Sequence, residues 1–156
     1  MKSAIPYFRN FPKDFKKEIV DKIIAAVREG KNLQLVGLKG SGKSLLFRYL
    51  SSNQKILSDF NIYQIDFNLI SEKSASAVSK LILEKTSQEE SKIGTFEKKT
   101  IILADSFENI NDILDDFLVR VFKAISDRYR DFVSFVFSVD RPIESGNVYW
   151  GKAIYM

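Results

Sequence analysis

One octapeptide, Gly37-Leu38-Lys39-Gly40-Ser41-Gly42-Lys43-Ser44, limits what this chain can fold into more than any other feature. It follows a short apolar run at residues 33–36 and opens a stretch in which Leu45, Leu46, Tyr49 and Leu50 recur at helical spacing. The order is therefore strand, glycine-rich loop, helix. Glycines permit positive φ and close backbone approach, so successive N–H groups can converge into an anion nest. A helix N-terminus adds unpaired amides and the positive end of its dipole. Lys43 brings a mobile cation for the outer phosphates of a polyphosphate, and the Ser44 hydroxyl is a hard oxygen donor suited to Mg²⁺. The fixed positions fit G-x-x-x-x-G-K-[ST]. Lys43 is expected on an exposed loop, outside the core.

Composition narrows the remaining chemistry. The 156 residues include no Cys and no His, which removes disulfides, thiolate nucleophiles, zinc sites of the usual N/S type and imidazole acid–base catalysis. Phosphate, carboxylate and hard-cation chemistry remain. With 45% hydrophobic and 28% charged residues the chain reads as one folded domain over residues 1–156, in which residues 1–31 form a segment and a helix ahead of the first strand. No apolar run approaches the roughly 18 residues of a membrane span, and residues 1–11 lack the apolar block of a secretory signal. A soluble, cytoplasmic protein without membrane attachment is the expectation. The net charge of +4 is uneven: residues 1–60 carry +7 and the rest −3. A basic first third suits a polyphosphate or a nucleic acid, and equally a solvated helix face.

Residues 14–29 have the periodicity of an amphipathic helix through Phe15, Ile19, Val20, Ile23, Ile24 and Val27, and Gly30 ends it. Residues 62–67 alternate as a strand, 75–86 read as a helix, and 87–99 as a polar surface loop. Residues 100–104 form a compact apolar strand ending in Asp105. The longest helix is expected over 112–130, another buried strand over 132–139, and a final strand within 148–156. Strands alternating with helices indicate an α/β fold with a parallel sheet covered on both faces.

The octapeptide is the Walker A loop, and Thr100-Ile101-Ile102-Leu103-Ala104-Asp105 has the Walker B pattern, whose carboxylate lies beside the loop at the strand ends and holds Mg²⁺. With the helix before Walker A, the long helix after Walker B and a fourth strand, the chain resembles the nucleotide-binding core of AAA+ and related STAND ATPases, especially the archaeal-type and origin-recognition-like branch. The resemblance extends from about residue 7 to residue 156. It implies a three-layer P-loop NTPase fold with strand order 5-1-4-3-2, ATP and Mg²⁺ as ligands, phosphate contacts from Gly37 to Leu45, and Ser44 and Asp105 as metal ligands. It also implies an adenine enclosure from Tyr7-Phe8-Arg9-Asn10-Phe11, with Phe8 and Arg9 as ring-stacking candidates. A hydrophobic staple at the helix start explains the same stretch.

Three departures bear on activity. The family's water-orienting Glu, immediately after the Walker B Asp, is replaced by Ser106, which cannot accept a proton from water at neutral pH. Glu108 lies two positions further on and is the candidate to act with Lys43 in catalysis, so weak or partner-dependent hydrolysis is expected. The sensor position after the fourth strand matches Asp140, with Ser138 as the other candidate, and Asp140 is equally a turn residue before Pro142. The family's helical lid has no counterpart within these residues, while Arg128 and Arg130 stand as either an arginine finger for a neighbour or simple helix-end cations.

The leading expectation is an ATP–Mg²⁺ module acting as a nucleotide-dependent switch or motor part, working with further copies of itself or with a partner subunit. A small P-loop kinase is the alternative, although no arginine-rich lid accompanies it. A nucleic-acid-associated ATPase is the third reading, resting on Lys13, Lys16, Lys17 and Lys22 without a recognised binding motif.

Overall fold

The computed structural model describes residues 15–70, 72, 74–82, 84, 98–114, 116–129, 131–143 and 150–156. Alternation along the third strand decides the layering. Ile101 and Leu103 point to one side of the sheet and Ile102 and Ala104 to the other, and all four are buried. On the first side they meet α1 (Lys17–Arg28) through Val20, Ile23 and Val27, and α2 (Lys43–Ser52) through Leu46, Phe47 and Leu50. On the second side they meet Val78 and Ile82 of the helical residues 75–82, and Leu118, Phe122 and Ile125 of the later helix. Each of these side chains contributes about 1.5–3 kcal/mol by leaving water, so both helical layers are held by their apolar stripes.

The five strands are β1 (Leu33–Val36), β2 (Phe60–Asp66), β3 (Lys99–Asp105), β4 (Val133–Val139) and β5 (Lys152–Tyr155). They lie in the order β2-β3-β4-β1-β5 and every adjacent pair is parallel. Read from the other edge this is 5-1-4-3-2, as expected. The register sets Val36 level with Val139 and Tyr155, and Asp66 level with Asp105. The carboxyl ends of all five strands therefore open on one rim of the sheet.

Several elements differ from their sequence expectation. A short helix α3 (Gln54–Asp59) follows α2 and owes its start to Asn53, whose side chain accepts from the N–H groups of Lys55 and Ile56 at 3.0 and 3.3 Å. The helix expected over 112–130 begins only at Asp116, as α4 (Asp116–Arg128), because Phe107–Ile113 is a 3₁₀ segment. Phe107 and Ile110, both fully buried, are three residues apart, the spacing at which a 3₁₀ turn stacks side chains on one face. Phe107 drives that choice: its ring lies 4.8–5.8 Å from those of Phe67, Phe122, Phe137 and Trp150. Strand β2 starts two residues earlier than expected and β5 is confined to four residues. Lys99, expected in a loop, pairs with Phe60 in the sheet. Residues 87–97 of that loop lie outside the described residues, as do 83, 85 and 86 of the helix before it.

Candidate phosphate and metal site

Strand β1 ends at Val36, and Gly37 carries its N–H to the Val139 carbonyl at 3.0 Å before the chain turns. Gly37 is required here, since a Cβ would fall 2.5 Å from Ser41 Oγ. Gly42 takes φ 98° and hands the chain to α2, which begins at Lys43. No side chain caps that helix, so its first amides are left to bind another partner. Ser41 Oγ is buried and has no hydrogen-bond partner.

Lys43 corrects one expectation. It is 7% exposed, and its ammonium is folded back into the loop, donating to the Gly37 carbonyl and, at 3.3 Å, to that of Leu38. The Glu108 carboxylate lies 3.8 Å from the same nitrogen. The lysine is thus held by two loop carbonyls and a carboxylate, acceptors whose place the oxygens of a phosphate could take. Leu38, at the loop tip, is 76% exposed; Lys39 and Gly40 are exposed and Leu45 is half-buried.

Ser44 and Asp105, 61 residues apart, meet at the strand ends: Ser44 Oγ donates to Asp105 Oδ1 at 3.0 Å. Gln64 of β2 donates from Nε2 to the other carboxylate oxygen, also at 3.0 Å. Burial raises the Asp105 pKa above its ordinary value; the Ser44 hydrogen bond opposes the rise and the nearby Asp66 charge reinforces it. Among the described residues no three Asp or Glu gather to cage a metal. A divalent ion here would draw two hard oxygens, Ser44 and Asp105, from the protein and the rest from phosphate and water, which is the habit of Mg²⁺. The donor set, the lysine and the open helix terminus fit a nucleoside polyphosphate with Mg²⁺.

Beyond Asp105 the chain turns through Ser106, in the left-handed region at φ 57°. Its N–H donates to Ser138 Oγ at 3.3 Å and its hydroxyl accepts from Asn68 Nδ2 at 2.8 Å. Asn109 donates in turn to Asn68 Oδ1. That turn aims Glu108 at Lys43. The Glu108 carboxyl is raised above its ordinary value by burial, against the Lys43 charge and with Asp140 and Asp105 adding to the rise. Of the two sensor candidates, Ser138 is buried and contacts the Ser106 backbone, whereas Asp140 is exposed beside Arg141.

The remaining sequence candidates fall elsewhere. Phe8 and Arg9 lie outside the described residues, and so does Arg130. Arg128 ends α4 at the amino edge of the sheet, with its guanidinium 5.4 Å from the Tyr129 ring centroid, across the molecule from Lys43. Gln64, Asn68 and Asn109 were not legible as site residues: Gln64 occupies a polar position in an alternating strand, and the two Asn read as turn formers.

No protein-family model matches the sequence, and no curated protein matches it. Solved structures do. RuvB from Thermotoga maritima superposes with a TM-score of 0.54 at 13% identity, over 96% of this chain and 49% of RuvB. PCH-2 from C. elegans gives 0.56 at 18%, over 98% and 41%. A chain of the HORMA:CdnC:Trip13 complex from E. coli MS115-1 gives 0.58 at 11%, over 99% and 56%. The chain therefore spans about half the length of these structures. They are AAA+ ATPases, and the five-stranded α/β architecture is that of the AAA+ P-loop core.

Proposed function

We propose that this chain is an ATP–Mg²⁺-binding module of AAA+ type that works as a nucleotide-dependent switch, with hydrolysis slow in the isolated chain. The contact that carries this reading is Ser44 Oγ on Asp105 Oδ1 at 3.0 Å, at the mouth of a glycine loop whose lysine is already turned inward. On binding, Lys43 leaves the Gly37 and Leu38 carbonyls for phosphate oxygens, and the amides of Gly40 to Leu45 line the phosphate chain. Gly37 keeps the turn tight. Ser44 and Asp105 take the metal, which supplies charge neutralisation on the phosphates when bound. Phe8 and Arg9 are proposed to stack on the base.

Lys43 gives up Glu108 in the same movement. Glu108, freed from its ion pair, is then the carboxylate able to orient water, while Ser106 is not. Its perch on the turn after Ser106 makes it a less direct base than a Glu at position 106, which accounts for slow turnover. A readout of nucleotide state through the 106–109 turn, its Asn68 contact and a partner or second copy completes the switch. The likeness to a Trip13 held in a complex with HORMA and CdnC supports a partner-engaging role.

Titration of a fluorescent ATP analogue with and without Mg²⁺ tests the reading. The wild-type chain is expected to bind more tightly with Mg²⁺, and Asp105→Ala to lose that increment while retaining Mg²⁺-free binding. Equal loss under both conditions refutes the metal role of Asp105.

A further inference from the structure

We infer that Gln64 is a positioning residue for the metal site: its side-chain amide fixes the plane of the Asp105 carboxylate, so that one oxygen stays turned toward Ser44 and the incoming cation. This rests on the nucleotide reading above and adds to it a residue that no part of the Walker patterns includes. Strand β2 is the outer strand beside β3, and Gln64 sits in register with Leu103, two residues short of Asp105. To reach the carboxylate the side chain must run diagonally along the neighbouring strand, over a rise of about 6.6 Å for two residues and a gap of about 4.8 Å between strands. Glutamine spans this, ending 3.0 Å from Oδ2. Asparagine would fall a methylene short.

Each carboxylate oxygen of Asp105 thus has one side-chain donor, Gln64 on Oδ2 and Ser44 on Oδ1. The two differ in what binding asks of them. Ser44 must share its oxygen between Asp105 and the ion, whereas among the described residues the Gln64 amide donates to Asp105 alone. Carboxylate rotation about χ2 is soft and nearly two-fold; Ser44 and the Ser106 backbone N–H hold it from the loop and from its own strand, and Gln64 is the donor that ties it to the neighbouring strand. The other polar group that β2 presents on this side is Asp66, whose charge repels Asp105. Without the Gln64 amide, Oδ2 would lose its side-chain donor on the side where the Asp66 charge repels it, and the carboxylate plane would be less closely fixed. The donor is also neutral: it orients Asp105 without cancelling the charge a cation needs, as a lysine at this position would.

The test is a Mg²⁺ titration of fluorescent ATP-analogue binding to the 156-residue chain carrying Gln64→Met, which keeps length and removes the donor, and Gln64→Asn, which keeps the amide and loses the reach. Outer partners of metal ligands commonly set metal affinity by 10–100-fold. Both variants are expected to need about tenfold more Mg²⁺ for half-maximal tightening, with Mg²⁺-free affinity within about twofold of wild type. An unchanged Mg²⁺ requirement in a folded variant overturns the inference, and so does a parallel fall of Mg²⁺-free affinity, which marks a general structural role. If Gln64→Met does not fold, Gln64→Asn decides alone. Failure of the wild-type chain to bind the analogue at all overturns the underlying nucleotide reading instead.

Discussion

Lys43→Met isolates what the buried lysine does before any ligand arrives. Methionine keeps the length and the helix propensity of the side chain and removes its donors and charge. The Gly37 carbonyl lies in a buried residue and would be left unpaired, at a cost of about 1–3 kcal/mol. The Leu38 carbonyl belongs to a residue 76% exposed, so water replaces the lysine there at little cost. The Glu108 pair, 3.8 Å apart, is largely buried, so its attraction is offset by the desolvation of both charges, and Glu108, already raised by burial, can take up a proton when the lysine is gone. The carbonyl sets the scale, about 1–3 kcal/mol, or a fall in melting temperature of roughly 2–12 °C for a domain of this size. Urea unfolding followed by circular dichroism measures it, and a cycle with Glu108→Gln should show coupling of about 0.5–1 kcal/mol. Saturating Mg²⁺–ATP analogue, at about 100 times Kd, should stabilise wild type by about 2.7 kcal/mol and the variant by almost nothing. A ligand-free Lys43→Met as stable as wild type within about 0.5 kcal/mol would refute the claim that this lysine satisfies the loop's own carbonyls.

Other consequences follow from the same geometry. Ser106→Glu places a carboxylate where Asn68 already donates, and should raise ATP hydrolysis at least about tenfold in a phosphate-release assay; no increase means that a different group limits turnover. Phe107→Ala removes a fully buried ring at the junction of four others and should cost about 3–5 kcal/mol in urea unfolding, whereas the half-exposed Phe117→Ala should stay within about 0.5 kcal/mol. Asp105 and Glu108 both hold protons more tightly folded than unfolded, so their ionisation opposes folding. Their contribution to stability falls as pH rises from the ordinary carboxylate values of 3.8 and 4.5 through the raised folded-state ones. Glu108→Gln should therefore flatten the decline that sets in as pH rises above the ordinary value of 4.5, a change read by unfolding curves at successive pH values.

What the sequence disclosed was whatever a local pattern can encode. The Gly37–Ser44 spacing, the apolar run into Asp105 and the helical stripe of α1 each carry their own signature, and the alternation of strands and helices indicates the parallel sheet, while its order comes only with the family resemblance. The 3₁₀ segment was hidden, because Phe107 and Ile110 also satisfy a helical period and only the aromatic cluster from four distant elements selects the tighter turn. Lys43 was misplaced for a related reason: the motif fixes where the residue sits, not that its ammonium turns inward onto Gly37 and Glu108. Gln64 could not have been singled out at all. Its meaning depends on the β2–β3 register, which is a property of two strands and not of either one.

The end of β5 gives the site a mechanical neighbour. The N–H of Met156 donates to the Val36 carbonyl at 2.8 Å, while its side chain lies against the bare α-carbons of Gly37 and Gly42, with Cβ 3.3 Å from where a Gly37 side chain would begin. Edge strand and glycine crook are thereby packed directly against each other. Any side chain added at Gly37 would therefore press on the last residue after the edge strand as well as on Ser41.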